Sequence, residues 1–147
     1  MSNYKLAPEI IRRSKAQTWD EAVKEWKLKE VYESDPQSCL CGHFPIIEIC
    51  VIRNIVNQEE VTVGNCCVKK FIGLPSDRIF QAIKRVRKDR NKSLNAEAIE
   101  HAFGRKWINA WERDFYLDNM KKRKLTEKQL KIKRQINDKL AQNLRKN

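Results

Sequence analysis

Cysteines stand at both ends of one short β-branched stretch, and that arrangement limits what the chain can become. Cys39-Leu40-Cys41-Gly42 comes first. The run Phe44 to Ile52 is rich in β-branched residues and predicts a strand. Asn54 to Glu60 is a polar turn, and Val61-Thr62-Val63 predicts a short returning strand. Gly64-Asn65 offers a turn and a helix N-cap, and Cys66-Cys67-Val68-Lys69-Lys70-Phe71 a short helix. The predicted order is cysteine knuckle, β-hairpin, then a helix with cysteine in its first turn. A lone hairpin buries too little apolar surface to hold itself, so cysteines at both ends supply a clamp. Zinc suits such a clamp, because thiolate sulfur is its commonest structural ligand. Gly42 lets backbone amides turn towards the sulfurs, and a helix N-terminus stabilises a thiolate. Five cysteines, an odd number in a chain with no evident export signal, argue for metal ligands or buried thiols rather than disulfides.

Cys39 and Cys41 are the first two ligands expected. Neighbouring side chains on a helix point about 100° apart, so Cys66 and Cys67 do not grip one ion together. One ligates and the other packs. The fourth position has three candidates. His43 comes first, two residues after Cys41. Cys50 lies seven residues beyond His43, up to roughly 23 Å away on an extended strand, and ligates only if the strand bends back. Its plainer role is a small apolar side chain in the hairpin core. Cys66 is the third candidate. Three cysteines and one histidine would make a closed, structural site with no position for catalytic water. His101 falls mid-helix, where a surface or core role is simplest.

The order of elements resembles the treble-clef class of zinc finger. The expected fold class is therefore α+β, a small treble-clef-like zinc finger (knuckle, β-hairpin, helix) flanked by α-helices. The segment Cys39-x-Cys41-Gly42 … Pro45-Ile46-x-Glu48-x-Cys50-x-Ile52-x-Asn54 … Val63-Gly64-Asn65-x-Cys67-Val68-Lys69-Lys70-Phe71 resembles a group of small, mostly uncharacterised bacterial and phage proteins. The resemblance spans Ser38 to Leu74 and is looser in the helices on either side. It implies that Cys67 is the helix ligand and Cys66 the variable position, and it includes a cysteine at Cys50. No activity, and so no catalytic residue, comes with it.

Three segments follow from this. Residues 1–37 form a helical arm, 38–74 the zinc-finger module, and 75–147 a basic helical region. In the arm, Thr18 with Glu21 is a capping-box pattern that predicts a helix from about Trp19 to Tyr32, stopped at Ser34-Asp35-Pro36. Its apolar face is Trp19, Ala22, Val23, Trp26 and Val31. Pro75-Ser76 opens a helix to about Lys88 with Ile79, Phe80, Ile83 and Val86 inward. Asn95 caps a short helix through Phe103, ended by Gly104. Trp107, Ile108, Trp111 and Phe115 mark the buried stripe of the next helix. Thr126 with Gln129 is a capping box, and Leu125 with Leu130 the staple around it. That last helix carries Ile132, Ile136, Leu140 and Leu144 on a narrow line, which would lie on a partner helix or stay partly exposed.

Charge points to a polyanionic partner. Among 147 residues, 31 Lys and Arg face 19 Asp and Glu, a net +12. Such an excess favours nucleic acid through release of condensed counterions. Lys84, Arg85, Arg87 and Lys88 form one cluster. The last 29 residues form another, with 11 Lys and Arg against only Glu127 and Asp138, and include Lys121, Lys122, Arg123, Lys124, Lys131 and Arg134. Lys69 and Lys70 on the module's helix would add phosphate contacts. Enzyme signatures are missing: no glycine-rich phosphate loop, no HExxH pair, no deaminase pattern. Glu112 and Asp114 lie on different helix faces and should pair with local cations. The four tryptophans sit at helical spacing and are expected in the core. No apolar run is long enough for a membrane span, and Met1 to Ala16 does not read as a signal peptide, so a cytoplasmic location is expected. The expectation is a non-enzymatic zinc-finger protein that binds DNA or RNA with little sequence specificity. The alternative is a phage or mobile-element module docking on a host or defence protein through the Ile132–Leu144 stripe and the Trp107–Tyr116 helix. No small-molecule substrate is evident.

Overall fold

The computed structural model describes residues 5–146. The first four residues of the Met1–Ala16 stretch and of the predicted arm, and residue 147 of the basic region, lie outside the described residues. The fold is α+β, with seven α-helices and one antiparallel sheet in the order β1-β2-β3 among the described residues. Two compact units divide it, the first ending at Asp77 and the second running Arg78–Lys146. No helix among the described residues is long and apolar enough to cross a membrane.

The first unit contains α1 (Leu6–Arg12), α2 (Trp19–Ala22), a 3-10 turn (Val23–Glu25), and the strands β1 (Trp26–Gln37), β2 (Ile46–Asn54) and β3 (Glu60–Gly64). A helix follows, α3 (Asn65–Cys67), which widens into a π turn over Val68–Ile72. The hairpin and the helix after it stand close to where the sequence put them. The long arm helix does not form. Helix ends at Glu25, and Trp26 onward is a strand paired with β2, with Trp26 opposite Asn54, Leu28 opposite Ile52 and Val31 opposite Cys50. A shift of register between Leu28 and Glu30 explains the misreading. An extra residue breaks the period of two, so the buried Trp26 and Val31 stand an odd five residues apart, which strict strand alternation does not predict. Pro36 does not stop an element but sits in β1, an edge strand, where a missing N–H costs no ladder bond.

Leu6, Ile10, Ala22, Trp26, Val31, Ile49, Ile52, Val63 and Val68 form this unit's buried core. Burying side chains of this size contributes about 1.5–3 kcal/mol each. A polar node ties the N-terminal helices to the hairpin turn. The Glu25 carboxylate accepts from Asn54 Nδ2 at 2.9 Å, from the Lys15 amide at 2.9 Å and from the Ala16 amide at 2.8 Å. These donors, Asn54 foremost, lower the Glu25 pKa. Asn54 in turn shapes the β2–β3 turn, its Oδ1 accepting from the Val56 and Asn57 amides at 2.8 and 3.2 Å.

The second unit is helical: α4 (Ser76–Lys88, whose first turn belongs to the first unit), α5 (Ala96–Gly104), α6 (Ala110–Asn119) and α7 (Glu127–Leu144). Ile79, Phe80, Ile83 and Val86 are buried as the sequence predicts. Asn95 caps α5, accepting from the Ala98 amide, although the helix includes Gly104 and is capped by Arg105. The Thr126–Gln129 capping box of α7 forms in full. Two readings change. Ile136, Leu140 and Leu144 are completely buried within the fold and Ile132 is half-buried, so most of the α7 line is core and not an interface. Helix α6 starts only at Ala110, under an Asn109–Glu112 capping box, so Trp107 and Ile108 precede it. Its one fully buried side chain is Tyr116, while Trp111 is 60% exposed. Tyr116 donates to Asn137 Oδ1 at 2.7 Å and accepts from the Leu94 amide at 2.9 Å. Asn137, also buried, donates to the Arg90 and Lys92 carbonyls at 2.9 Å each.

Candidate metal centre and basic surface

The turn after β1 carries Cys39 and Cys41, and the first turn of α3 carries Cys67. Three backbone bonds shape the first of these turns. The Gly42 amide donates to the Cys39 carbonyl at 2.8 Å, the Cys39 amide to the His43 carbonyl at 2.9 Å, and the Leu40 amide to Thr62 on β3 at 3.1 Å. Gly42 has φ +92°, a conformation that L side chains rarely adopt. The turn therefore faces its cysteines towards the end of β3.

There the three sulfurs meet. The Sγ atoms of Cys39, Cys41 and Cys67 lie within 4.8 Å of one another, and Cys41 and Cys67 are 3.7 Å apart. That is far beyond the roughly 2.05 Å of a disulfide. Cys39 and Cys67 are buried and Cys41 half-buried, so the group could hold a metal ion screened from solvent. The Gly64 amide donates to Cys39 Sγ at 3.2 Å. A Cβ on residue 64 would meet Ile46 Cγ2 at 3.0 Å, so glycine gives this amide its room. Hydrogen bonding with Cys67, aided by the Gly64 amide, lowers the Cys39 thiol to about 5 despite its burial. Cys67, hydrogen-bonded with Cys39 and itself desolvated, moves the other way. The shift of Cys39 favours thiolate, the form a metal takes.

The remaining candidate ligands stand outside this triad. His43 is exposed, on the loop two residues past Cys41. Cys66 is exposed and Cys67 buried, as expected of adjacent helical positions. Cys50 is fully buried in the sheet, between Val31 and Val63, with its Sγ 4.0 Å from Asn65 Oδ1. Burial pushes its thiol up to about 12. Asn65 organises the other side of α3, donating to Glu48 and Asp77 at 3.1 Å each and accepting from Ser76 at 2.6 Å.

The basic residues belong to the second unit. Residues 78–146 carry 21 Lys and Arg against 8 Asp and Glu, whereas residues 1–77 carry 10 against 11. Many cations are spoken for. Lys69 pairs with Asp77 at 3.3 Å, Arg78 with Glu97 at 2.9 Å, Lys139 with Glu112 at 2.5 Å, and Arg90 with Asp138. The pairs of Lys139 with Glu112 and of Arg113 with Asp114 give those carboxylates the role the sequence suggested. Arg85 donates to the Ser93 carbonyl at 2.8 Å, and Arg134 to Asn91 Oδ1 at 2.7 Å. Lys84, Arg85, Arg87 and Lys88 line one open depression on α4. Lys70 and Lys131 are exposed. The α6–α7 loop gathers such exposed cations into one run. Lys121, Lys122, Arg123 and Lys124 are consecutive and exposed, and among the described residues no ion pair reaches them.

One exposed side chain escaped sequence reasoning. Trp111 was expected in the core because its spacing to Phe115 is helical. The Asn-x-x-Glu pattern at Asn109–Glu112 is the signal that sets the true helix start, and hence its phase. No family model, curated protein or solved structure matches this chain.

Proposed function

We propose that the protein is a zinc-stabilised binding protein whose helical second unit associates with nucleic acid with little sequence specificity. Zinc is supported by sulfur spacing. Four ligands at about 2.3 Å in a tetrahedron put sulfurs roughly 3.8 Å apart, and Cys41 and Cys67 stand at 3.7 Å. His43 is the fourth ligand in this account, since its backbone already bonds Cys39 and its side chain is free to swing from an exposed loop. Cys50 would have to leave the sheet, and Cys66 faces solvent. A treble-clef reading of this module draws on the order of cysteine turn, hairpin and helix around the triad, and kinship with small bacterial and phage proteins belongs to the same proposal.

The observation that carries the nucleic-acid reading is the unpaired run Lys121–Lys124 in a unit with 21 basic against 8 acidic residues. Cations without carboxylate partners are the ones available to neutralise phosphates and so release the counterions condensed on the nucleic acid. Titration of the whole protein into an unrelated duplex and an unrelated single strand at several salt concentrations tests it. A steep log–log fall of affinity with salt is expected. No binding to either at low salt would refute it.

A second reading draws on the first unit, where Phe44 is 60% and Ile47 48% exposed beside the metal-site loop. An apolar pair of this kind suits a protein partner, such as a host or defence factor. Capture of one protein from host lysate that survives nuclease and is lost in Phe44→Ser would favour it.

A further inference from the structure

We infer that the second unit takes single-stranded nucleic acid, stacking a base on Trp111 while Lys121–Lys124 hold the strand's phosphates; this rests on the nucleic-acid reading above and names its substrate class. Trp111 is the only large apolar side chain of this unit, among the described residues, that is left strongly exposed. It is also held in place. Its indole stacks on Phe115, ring centres 5.4 Å apart with a 17° interplanar angle, which holds the ring while leaving the residue 60% exposed. The Asn109–Glu112 capping box fixes the helical turn that carries it.

The neighbourhood holds aromatic and basic side chains, with the Glu112 carboxylate, paired with Lys139, beside them. An open depression where α5 meets α6 is lined by Phe103, Lys106, Trp107 and Ile108, and Arg113 lies over the Phe103 ring at 4.3 Å. Lys106, exposed on its rim, has φ +62°, a conformation non-glycine residues seldom hold. Helix α6 then places the four-cation loop about 15 Å along its axis from Trp111. Aromatic faces for bases and cations for phosphates, at a separation of a few nucleotides, are what an unpaired strand requires. A duplex keeps its base faces inside the stack and can use only the cations. Asp114 and Asp118 oppose this arrangement, since at i+3 and i+7 from Trp111 they lie on its side of the helix and are exposed, though Asp114 is paired with Arg113.

The test is binding of fluorescein-labelled oligothymidylate, and of a duplex of equal length, to the wild-type protein and to Trp111→Ala, Trp111→Phe and Asp118→Asn across a salt series. Because Trp111 is exposed, its removal leaves the core intact, and unfolding midpoints check that. Trp111→Ala should lower single-strand affinity about five- to a hundredfold with an unchanged salt slope and leave duplex affinity alone. Trp111→Phe should restore most of it, and Asp118→Asn should tighten both. If Trp111→Ala binds the single strand as tightly as wild type, or loses single strand and duplex equally, stacking is refuted while the electrostatic reading stands. If the wild type binds neither at low salt, the nucleic-acid reading fails as well, and Trp111 is left as a protein contact.

Discussion

Replacing Cys67 with serine removes one of the three sulfurs that join the turn after β1 to helix α3. A metal held by that triad acts as a cross-link, and its value to the fold is set by the loop it closes. Cys41 and Cys67 are 26 residues apart, for which chain-entropy loss in the unfolded state gives about 3.5 kcal/mol. For a unit ending at Asp77, a loss of that size lowers the unfolding midpoint by roughly 15–25 °C. Cys66 is exposed and takes no part in the triad, so Cys66→Ser should stay within about 0.5 kcal/mol of wild type. Thermal unfolding of both variants, each with and without a strong chelator, measures this. The wild type and Cys66→Ser should fall together to the Cys67→Ser midpoint when chelated. Equal midpoints for the two variants, or a wild type indifferent to chelator, would refute the cross-link.

Three further outcomes are expected. His43→Ala should speed zinc release to a chromophoric chelator, whereas Cys50→Ala should cost only packing, about 1 kcal/mol, and keep its metal; the reverse order would make the site four cysteines. Tyr116→Phe should destabilise the second unit by about 1–3 kcal/mol in denaturant titrations, because it strips a partner from the Leu94 amide and from Asn137. Burial raises the Tyr116 hydroxyl to about 12 from 10. The unfolded chain therefore ionises first, and this tyrosine's contribution is whole below pH 10 and lost as pH rises towards 12. A midpoint-versus-pH curve should show that alkaline decline flattened in Tyr116→Phe.

The parts legible in the sequence were those written locally. Side-chain caps at Asn95 and Thr126 satisfy amides within one turn, so their residues announce the helices whatever packs on them. The triad was legible because thiols at Cys39, Cys41 and Cys67 flank a hairpin whose two strands return the chain to its start. Strand β1 was not, because its partner β2 is about twenty residues away and the register shift after Leu28 hides the alternation. The exposure of Trp111 depended on helix phase, which shifts with a start misplaced by three residues. The fate of the Ile136–Leu144 line depended on tertiary packing that no periodicity contains. That packing also changes how the basic region should be probed. Cutting the chain after Asn119 would strip α7 and its buried side chains from the unit, so loss of binding would report unfolding as much as lost charge.

Neutralising the loop in place avoids this. Lys121→Gln, Lys122→Gln, Arg123→Gln and Lys124→Gln together alter four exposed side chains outside any helix and leave the core untouched. If all four meet phosphates, the slope of log affinity against log salt on duplex DNA should become shallower by about 3.6, which between 50 and 200 mM salt amounts to roughly 150-fold. The measurement is that slope for wild type and quadruple variant side by side. A difference near 3 to 4 is the predicted result. Parallel slopes, with both proteins binding, would contradict the assignment of the phosphate contacts to this loop.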